Sequence, residues 1–569
     1  MKIKIAVVQM NPVVGDLAGN LKKIMAEYVK AAGAGANIVI TPEMSLTGYP
    51  LEDLVLRHSF MDAVSQFTSE LITRVMQSGE EATLIFGAPA KSLDGVGVTN
   101  TAYLFDPLDS KSVRWVMKTE LPNYGVFDEK RIFKPSAYEN SAFMWRGYRL
   151  GLMVCEDAWF PKVTQQLVET GATFLIAING SPFEVGKNVV RRQIIANRIK
   201  ESGLPFLYAN LVGGQDELVF DGGSFFYDGK TMQEAPHFVE GTFFFDAELG
   251  PNTKKITLDN YPTVQPTGIG EIYQACTLGL KDYLRKQRFG SVALGYSGGV
   301  DSGIVAAMAC DALGADLVHL VRLPSKFSSD GSLTDAAEGA KRLGAPMRTI
   351  AIEPIVDALR LAYRDAEYSY RENECEHLTG VADENIQARA RGNILMAISN
   401  QEGHMILTTG NKSEVSVGYS TLYGDMSGGF NPIKDCYKTT VWELCRWRNG
   451  LTPDQVKDHG FLGHGGYDVV PEEIIVKPPS AELRADQKDS DSLPEYPVLD
   501  AILKAMIEDE MSVHTIVEEL KLRLDIVQKI RRLVDNAEYK RRQAAPGVKI
   551  TSKIHGKDRR YPIVNHWRG

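Results

Sequence analysis

LGYSGGVDSG, residues 294–303, decides how the second half of the chain is read. An apolar run stops at Gly295, the chain turns through Tyr296, Ser297, Gly298 and Gly299, and Val300, Asp301 and Ser302 open the next element. Glycines let backbone N–H groups approach an anion closely, and a following helix points its positive end at the same spot. Ser297 and Ser302 add hydroxyl donors. A bound phosphate is one reading of this turn; plain chain reversal accounts for the two glycines alone equally well. The Walker A pattern is absent, because no Lys-Ser or Lys-Thr closes the loop.

Around this loop, EIYQACTLGLKDYLRKQ predicts an entry helix, followed by strand SVALGYS, a helix over 301–313, strand LVHLVRL, a helix over 332–343 and strand MRTIAI. That β-α-β-α-β order predicts a doubly wound parallel sheet. Upstream, the short apolar runs IAVVQM, ANIVIT, ATLIFGAPA, WVMKT, LGLMV, TFLIAI and LPFLYANLV are separated by amphipathic stretches such as 17–33 and 187–202. They predict a second α/β domain of its own. Residues 246–268 are rich in Pro, Thr and Gly and lack periodicity. The expected division is a first domain over 1–248, a linker over 249–268 and a second domain over 269–569 with a helical tail from about 496.

The 569 residues are too many for a single core. A net charge of −9 leaves no basic footprint for nucleic acid or an anionic membrane surface. No apolar run reaches the ~18 residues a membrane span needs, and MKIKIAVVQM lacks the length and cleavage site of a signal peptide. Cys155, Cys276, Cys310, Cys375, Cys436 and Cys445 form no CxxC pair, so neither a disulfide framework nor a zinc site is expected, and a reducing cytoplasm fits best.

In full, SGGVDS after a buried strand resembles the pyrophosphate-binding loop of the ATP pyrophosphatase class, whose fold is that of the adenine nucleotide alpha hydrolases. The strings ENIQARARGNILMAISN at 384–400, TTGNKSEVSVGYSTLYGDMSGGFNPIKDCYKTTVWEL at 408–444 and PPSAELRADQKDSDSLPEYPVLD at 478–500 are similar to those of NAD synthetases. This resemblance implies that the carboxylate of deamido-NAD attacks the α-phosphate of ATP and that ammonia then displaces AMP. It implies ATP contacts along Gly295–Ser302 and at Thr409, with Mg2+ held by Asp301 and Glu414. It also implies contacts to deamido-NAD from Asn385, Glu414 and Lys540. Taken alone, Lys540 reads as one of several cations solvating a terminal helix, Asn385 as a cap and Glu414 as a surface carboxylate.

Ammonia in neutral water is mostly ammonium, which has no lone pair, so a synthetase of this kind needs ammonia made on site. In LMVCEDAWF, Cys155 ends an apolar strand just before a turn, where a thiolate can be presented beside backbone N–H groups. A lone cysteine is more often a small buried hydrophobe. With Glu43 of TPEMSLTGYPLEDL and Lys118 of VMKTELPNYGVFDEKRIF, however, Cys155 resembles the triad of the carbon–nitrogen hydrolase (nitrilase) superfamily, an αββα sandwich. The resemblance implies Glu43 as general base, Lys118 as oxyanion stabiliser and Cys155 as nucleophile, with the Glu156 N–H as a second oxyanion donor. It implies glutamine contacts from Tyr124, Ser181 and Lys187. Lys187 stands where some relatives carry Arg, keeping the charge without the bidentate fork. Glu129 is expected either to support the triad or to pair with Lys130, Arg131 or solvent.

The two resemblances together imply the family of glutamine-dependent NAD synthetases, acting as homo-oligomers in the cytoplasm. An ATP pyrophosphatase making GMP or asparagine would lack both ENIQAR and the Glu-Lys-Cys set, and a tRNA-modifying one would want a basic surface and paired cysteines. A first domain acting only as an interaction module is disfavoured by the presence of Glu43, Lys118 and Cys155 together.

Overall fold

A computed structural model of the chain describes residues 2–109, 113–248, 256–258, 267–365, 377–464, 466–484 and 487–567. It divides into two compact units, Met1–Gln265 and Pro266–Gly569.

The first unit is built on two large sheets and a hairpin of β10 (Val212–Gln215) with β11 (Leu218–Asp221). One has the order β15-β14-β1-β2-β3-β4-β5, from β1 (Lys2–Gln9), β2 (Ile38–Ile40), β3 (Thr83–Lys91), β4 (Val98–Phe105), β5 (Arg114–Met117), β14 (Gly241–Glu248) and β15 (Ile256–Leu258). The other has the order β13-β12-β9-β8-β7-β6, from β6 (Phe143–Trp145), β7 (Tyr148–Val154), β8 (Phe174–Asn179), β9 (Phe206–Asn210), β12 (Phe225–Tyr227) and β13 (Met232–Glu234). In each, a central parallel set, β1-β2-β3 or β7-β8-β9, is flanked by antiparallel strands.

Period-two alternation sorts the strand residues between faces. Ile5, Val7, Ile38 and Ile85 meet Leu152, Val154, Ile176 and Ile178 between the sheets. Ala6, Val8, Val39 and Phe86 instead face Leu21, Ile24, Tyr28, Val64 and Leu71 of the helices Leu17–Gly33 and His58–Gln77. Met153, Leu175 and Tyr208 pack on Val163, Leu167, Ile195 and Ile199 of the helices Pro161–Glu169 and Lys187–Ser202. The result is an αββα sandwich. Its parallel strands are covered on both faces, which is why they read as unbroken apolar runs.

The second unit carries a parallel sheet of order β18-β17-β16-β19, from β16 (Val292–Gly295), β17 (Val318–Arg322), β18 (Met347–Thr349) and β19 (Met405–Leu407). Helices Ile269–Gln287, Val300–Leu313, Asp330–Leu343 and Val381–Glu402 accompany it. Strand order reverses at β16, whose neighbours are β17 and β19. The crevice beyond the carboxyl ends of β16 and β19 is therefore the topological switch point, where open α/β sheets bind ligands.

Several elements differ from the sequence reading: the eight-residue strands β4 and β14 and the three-residue strands β6, β12 and β13 lie outside its apolar runs. The stretch expected as a linker over 249–268 contributes β15, which pairs with β14 (Phe245↔Leu258); apart from residues 256–258, 267 and 268 the stretch lies outside the described residues. β19 went unpredicted. Both strands are three residues long, too short for a period to register. The helical tail ends at Arg541, and residues 542–567 form no helix. Pro546 and Gly547 disfavour one, and Asp435 instead accepts the N–H groups of Ile550 (2.8 Å) and Thr551 (2.7 Å), fixing an irregular segment. Cys375 lies outside the described residues; the other five cysteines are free and buried. Among the described residues no helix is long and apolar enough to cross a membrane.

Gly87 in β3 lies against the turn after β2. A Cβ there would sit 2.4 Å from the Met44 nitrogen and 2.8 Å from the Pro42 carbonyl oxygen, both backbone atoms. Gly87→Ala is expected to destabilise the protein by about 1–3 kcal/mol, seen as a lower melting temperature, because backbone cannot yield as a flexible side chain would. An unchanged melting temperature would contradict this packing.

Candidate active sites

The turn pressed against Gly87 carries Glu43, and its carboxylate is the hub of the first site. Oε1 accepts from Lys118 Nζ (2.9 Å) and Asn100 Nδ2 (2.6 Å), while Oε2 accepts from the Gly180 N–H (2.6 Å). Lys118 follows β5 and is 1 % exposed. Its ammonium also pairs with Glu129 Oε2 at 2.9 Å, and Glu129 Oε1 accepts from the Tyr49 hydroxyl at 3.0 Å. Burial disfavours the charge on Lys118, but Glu129, Glu43 and Cys155 outweigh it and hold the ammonium well above its ordinary pKa. Burial pushes Glu129 up to about 7, against the pull of Lys118.

Cys155 leaves β7 at φ +48°, a left-handed conformation rare for a residue with a side chain. It opens a short turn, Cys155–Ala158. Asp157 clamps this elbow: its carboxylate accepts from Val154 N (3.1 Å) and, on the far side, from Thr119 N (2.9 Å) and Glu120 N (2.8 Å), next to Lys118. The thiol is buried among the charges of Glu43, Lys118, Glu156 and Glu129. Burial raises its pKa well above the usual thiol value and Glu43 raises it further, with Lys118 opposing. The resting site is thus a neutral thiol beside a carboxylate that can receive its proton.

Tyr124 donates to both oxygens of Glu156, at 2.9 and 3.1 Å. Lys187, at the start of the helix Lys187–Ser202, holds its ammonium 5.1 Å from the ring centre of Trp159, on the same elbow as the thiol. Ser181 follows β8 and Gly180, buried, with its N–H donated to Asn210 Oδ1 at 3.0 Å. Of the two expectations for Glu129, it takes the contact with Lys118. Arg131 pairs instead with Asp53 and Asp128. Asn100 and Asp157 escaped the sequence reading. Asn100 sits within VTNTAYLF, where nothing in the strand pattern separates it from its neighbours, whereas Asp157, two residues beyond a candidate nucleophile, could have been singled out.

In the second unit the loop after β16 turns at Gly298 with φ +79°. A Cβ on Gly298 would lie 2.4 Å from the Ser332 carbonyl oxygen. Gly299 N–H donates to Ser297 Oγ (3.2 Å) and Ser302 Oγ donates to the Gly299 carbonyl (2.9 Å), so the loop's hydroxyls hold its shape. Tyr296 is buried, and Val300 begins the helix Val300–Leu313. Thr409 stands half-buried after β19, across the crevice.

Asp301 and Glu414 converge on one ammonium, that of Lys438, which pairs with Asp301 Oδ2 and with Glu414 Oε1 (3.3 Å). Asn411 donates from Nδ2 to Asp301 Oδ1 (2.9 Å) and caps the short helix that carries Glu414. Burial and the facing Asp301 carboxylate push Glu414 up to about 8, Lys438 opposing. Two carboxylates aimed at one cation suit Mg2+, which takes one or two carboxylates and completes its shell with phosphate and water oxygens. Among the described residues no cluster of three or more ligating side chains stands ready for a metal.

Asn385 and Lys540 meet at the loop after Val417. Lys540 Nζ donates to the carbonyls of Gly418 (2.7 Å) and Ser420 (2.6 Å), and Asn385 Oδ1 accepts from the Thr421 hydroxyl (2.9 Å). Lys540 is therefore no solvated helix cation; burial lowers its pKa.

Residues 4–250 match the carbon-nitrogen hydrolase family and residues 272–544 the NAD synthase family. The glutamine-dependent NAD(+) synthetase of Rhodobacter capsulatus is 44% identical over 100% of this chain and 99% of its own, and that of Acinetobacter baylyi is 39% identical over 99% of both. The solved glutamine-dependent NAD+ synthetase of Acinetobacter baumannii, in complex with ADP, is 36% identical with a TM-score of 0.75, covering 99% of both chains. A fused carbon–nitrogen hydrolase and NAD synthase, matched end to end by such relatives, leaves one assignment: the chain belongs to the family of glutamine-dependent NAD(+) synthetases.

Proposed function

We propose that glutamine is hydrolysed at Cys155 and that the ammonia released is consumed at the crevice bearing the Gly295–Ser302 loop. Glu43 takes the thiol proton as sulfur attacks the glutamine amide carbon. The tetrahedral oxygen is stabilised by the Lys118 ammonium and the Glu156 N–H, and its collapse to a thioester expels ammonia, the proton returning through Glu43. Water, deprotonated by Glu43, then releases glutamate. The observation that carries this reading is the buried carboxylate of Glu43, joined to Lys118 in the surroundings of the buried Cys155 thiol. Tyr124, Ser181 and Lys187 bind glutamine, supported by the position of Tyr124 and Lys187 about the elbow that presents the thiol.

In the second unit the Gly295–Ser302 loop and Thr409 hold ATP, and Asn385, Glu414 and Lys540 hold deamido-NAD. The A. baumannii relative's ADP supports a nucleotide here. The carboxylate of deamido-NAD attacks the α-phosphate and expels pyrophosphate; ammonia then adds to the acyl carbon and AMP departs, leaving the amide of NAD. Asp301 and Glu414 would hold magnesium, whose chemistry there would be charge neutralisation at the phosphates. Lys438 holds the two carboxylates in register, and the loop N–H groups and the start of the helix Val300–Leu313 face the leaving pyrophosphate. The same reading makes the enzyme a cytoplasmic homo-oligomer, which rests on the family resemblance.

Cys155→Ala is expected to abolish NAD formation from glutamine while ATP, magnesium, deamido-NAD and ammonium still yield it; equal persistence of both activities would remove Cys155 as the nucleophile. Asp301→Ala is expected to lower ammonium-driven synthesis by about 10²-fold, the scale of losing one charge-stabilising group. An unaltered rate with ammonium would contradict the role given to this carboxylate.

A further inference from the structure

Arg191 makes the densest buried contact set beside the glutamine-binding residues, yet it belongs to none of the roles above. It lies in the second turn of the helix Lys187–Ser202 and is 3 % exposed. Nε donates to Ser181 Oγ at 3.1 Å; Nη2 donates to the carbonyls of Ser181 and Pro182, both at 2.8 Å; Nη1 donates to both oxygens of Asp221, at 2.8 Å. Asn210 completes the hold on Ser181, its Oδ1 accepting from Ser181 N (3.0 Å) and its Nδ2 donating to Ser181 O (3.1 Å).

A guanidinium carries donors only. A serine oxygen that accepts from it cannot send its own hydrogen back, so the Ser181 hydroxyl hydrogen must point elsewhere. The buried phenol of Tyr208 lies within reach of Ser181, but its oxygen makes no hydrogen bond of standard geometry. An anionic acceptor outcompetes a neutral phenol for that hydrogen. The surrounding charge points the same way. Arg191 pairs with Asp221, Asp221 with His237, His237 with Glu234 and Glu234 with Arg192, a chain of three cationic groups against two carboxylates once His237 is protonated. Burial disfavours that proton, but the two flanking carboxylates lift His237 to about 9. The loop at Ser181 thus sits at the end of a network with surplus positive charge.

We propose that Arg191 is a positioning residue for the amide donor: by donating to Ser181 Oγ it fixes the Ser181 hydroxyl as a donor and so selects a substrate carrying an α-carboxylate. This rests on the reading of Ser181 as a glutamine ligand.

The test compares glutamine with glutaminamide, the same donor with its α-carboxylate replaced by a neutral amide, in the full-length enzyme. Arg191→Lys is expected to raise KM for glutamine by about tenfold, with kcat changed less than about twofold and KM for glutaminamide unmoved. Asp221→Asn, which leaves Arg191 in place but loosens it, is expected to move the same KM in the same direction by less. It serves alone if Arg191→Lys proves too unstable in a thermal melt. An equal rise in KM for both donors would reduce Arg191 to a structural role and overturn the proposal, as would no rise for either. Ser181→Ala separates the two layers. If it leaves KM for glutamine unchanged, Ser181 is not a ligand and the reading beneath fails; if it raises KM while Arg191→Lys does not, only the inference about Arg191 fails.

Discussion

A lysine ammonium buried between two carboxylates organises the first unit. Taking Lys118 out of water is costly, and only the paired Glu43 and Glu129, each 2.9 Å away, make the charged form the stable one. Three segments must meet for this to happen: the turn after β2, the end of β5, and the short helix Glu129–Ile132. Removing either carboxylate would leave a buried charge under-compensated, at a cost of about 3–5 kcal/mol where such pairs are broken. The ion set is therefore a demand on the fold as much as a feature of the chemistry. Gly87 and Gly180 answer that demand by letting backbone come within reach of the Glu43 turn and its carboxylate.

The second unit meets a related problem differently. Asp301 and Glu414 face each other across the switch-point crevice, and Lys438 neutralises them. In the first unit the lysine is locked on both sides by carboxylates that pair with no other cation among the described residues. In the second, the carboxylates flank a loop whose N–H groups and following helix suit a phosphate anion, so positive and negative elements lie side by side. That juxtaposition is what a nucleotide with its counter-ion requires, and the parallel strand order that reverses at β16 generates it.

Much of this was legible in the residues. The buried parallel strands announce themselves as unbroken apolar runs, and Glu43 and Cys155 stand past the carboxyl ends of two of them, β2 and β7, while Lys118 follows the antiparallel edge strand β5. The Gly295–Ser302 loop is equally local. What escaped is interrupted by polar residues, as in β4 (VTNTAYLF) and β14 (GTFFFDAE), or is non-local or too short. β15 and β19 are three-residue strands whose partners, not their own periods, define them. Asn100 is an ordinary strand residue until β4 brings it to Glu43, 57 positions away. Lys540 reads as a solvated cation on a terminal helix until the loop at Gly418 and Ser420 turns its carbonyls toward it. The irregular segment beyond Arg541 is held by Asp435, more than a hundred positions upstream, a contact no window of sequence contains.

Burial, and after it the Glu43 carboxylate, keep the Cys155 thiol neutral at rest, so in the proposed mechanism it loses its proton to Glu43 only as it attacks. The ultraviolet thiolate absorbance of the protein minus that of Cys155→Ala, followed against pH, reads this resting state. The difference signal is expected to rise only past 9, the ordinary thiol value. A plateau reached near neutral pH would mean a preformed thiolate and would contradict this.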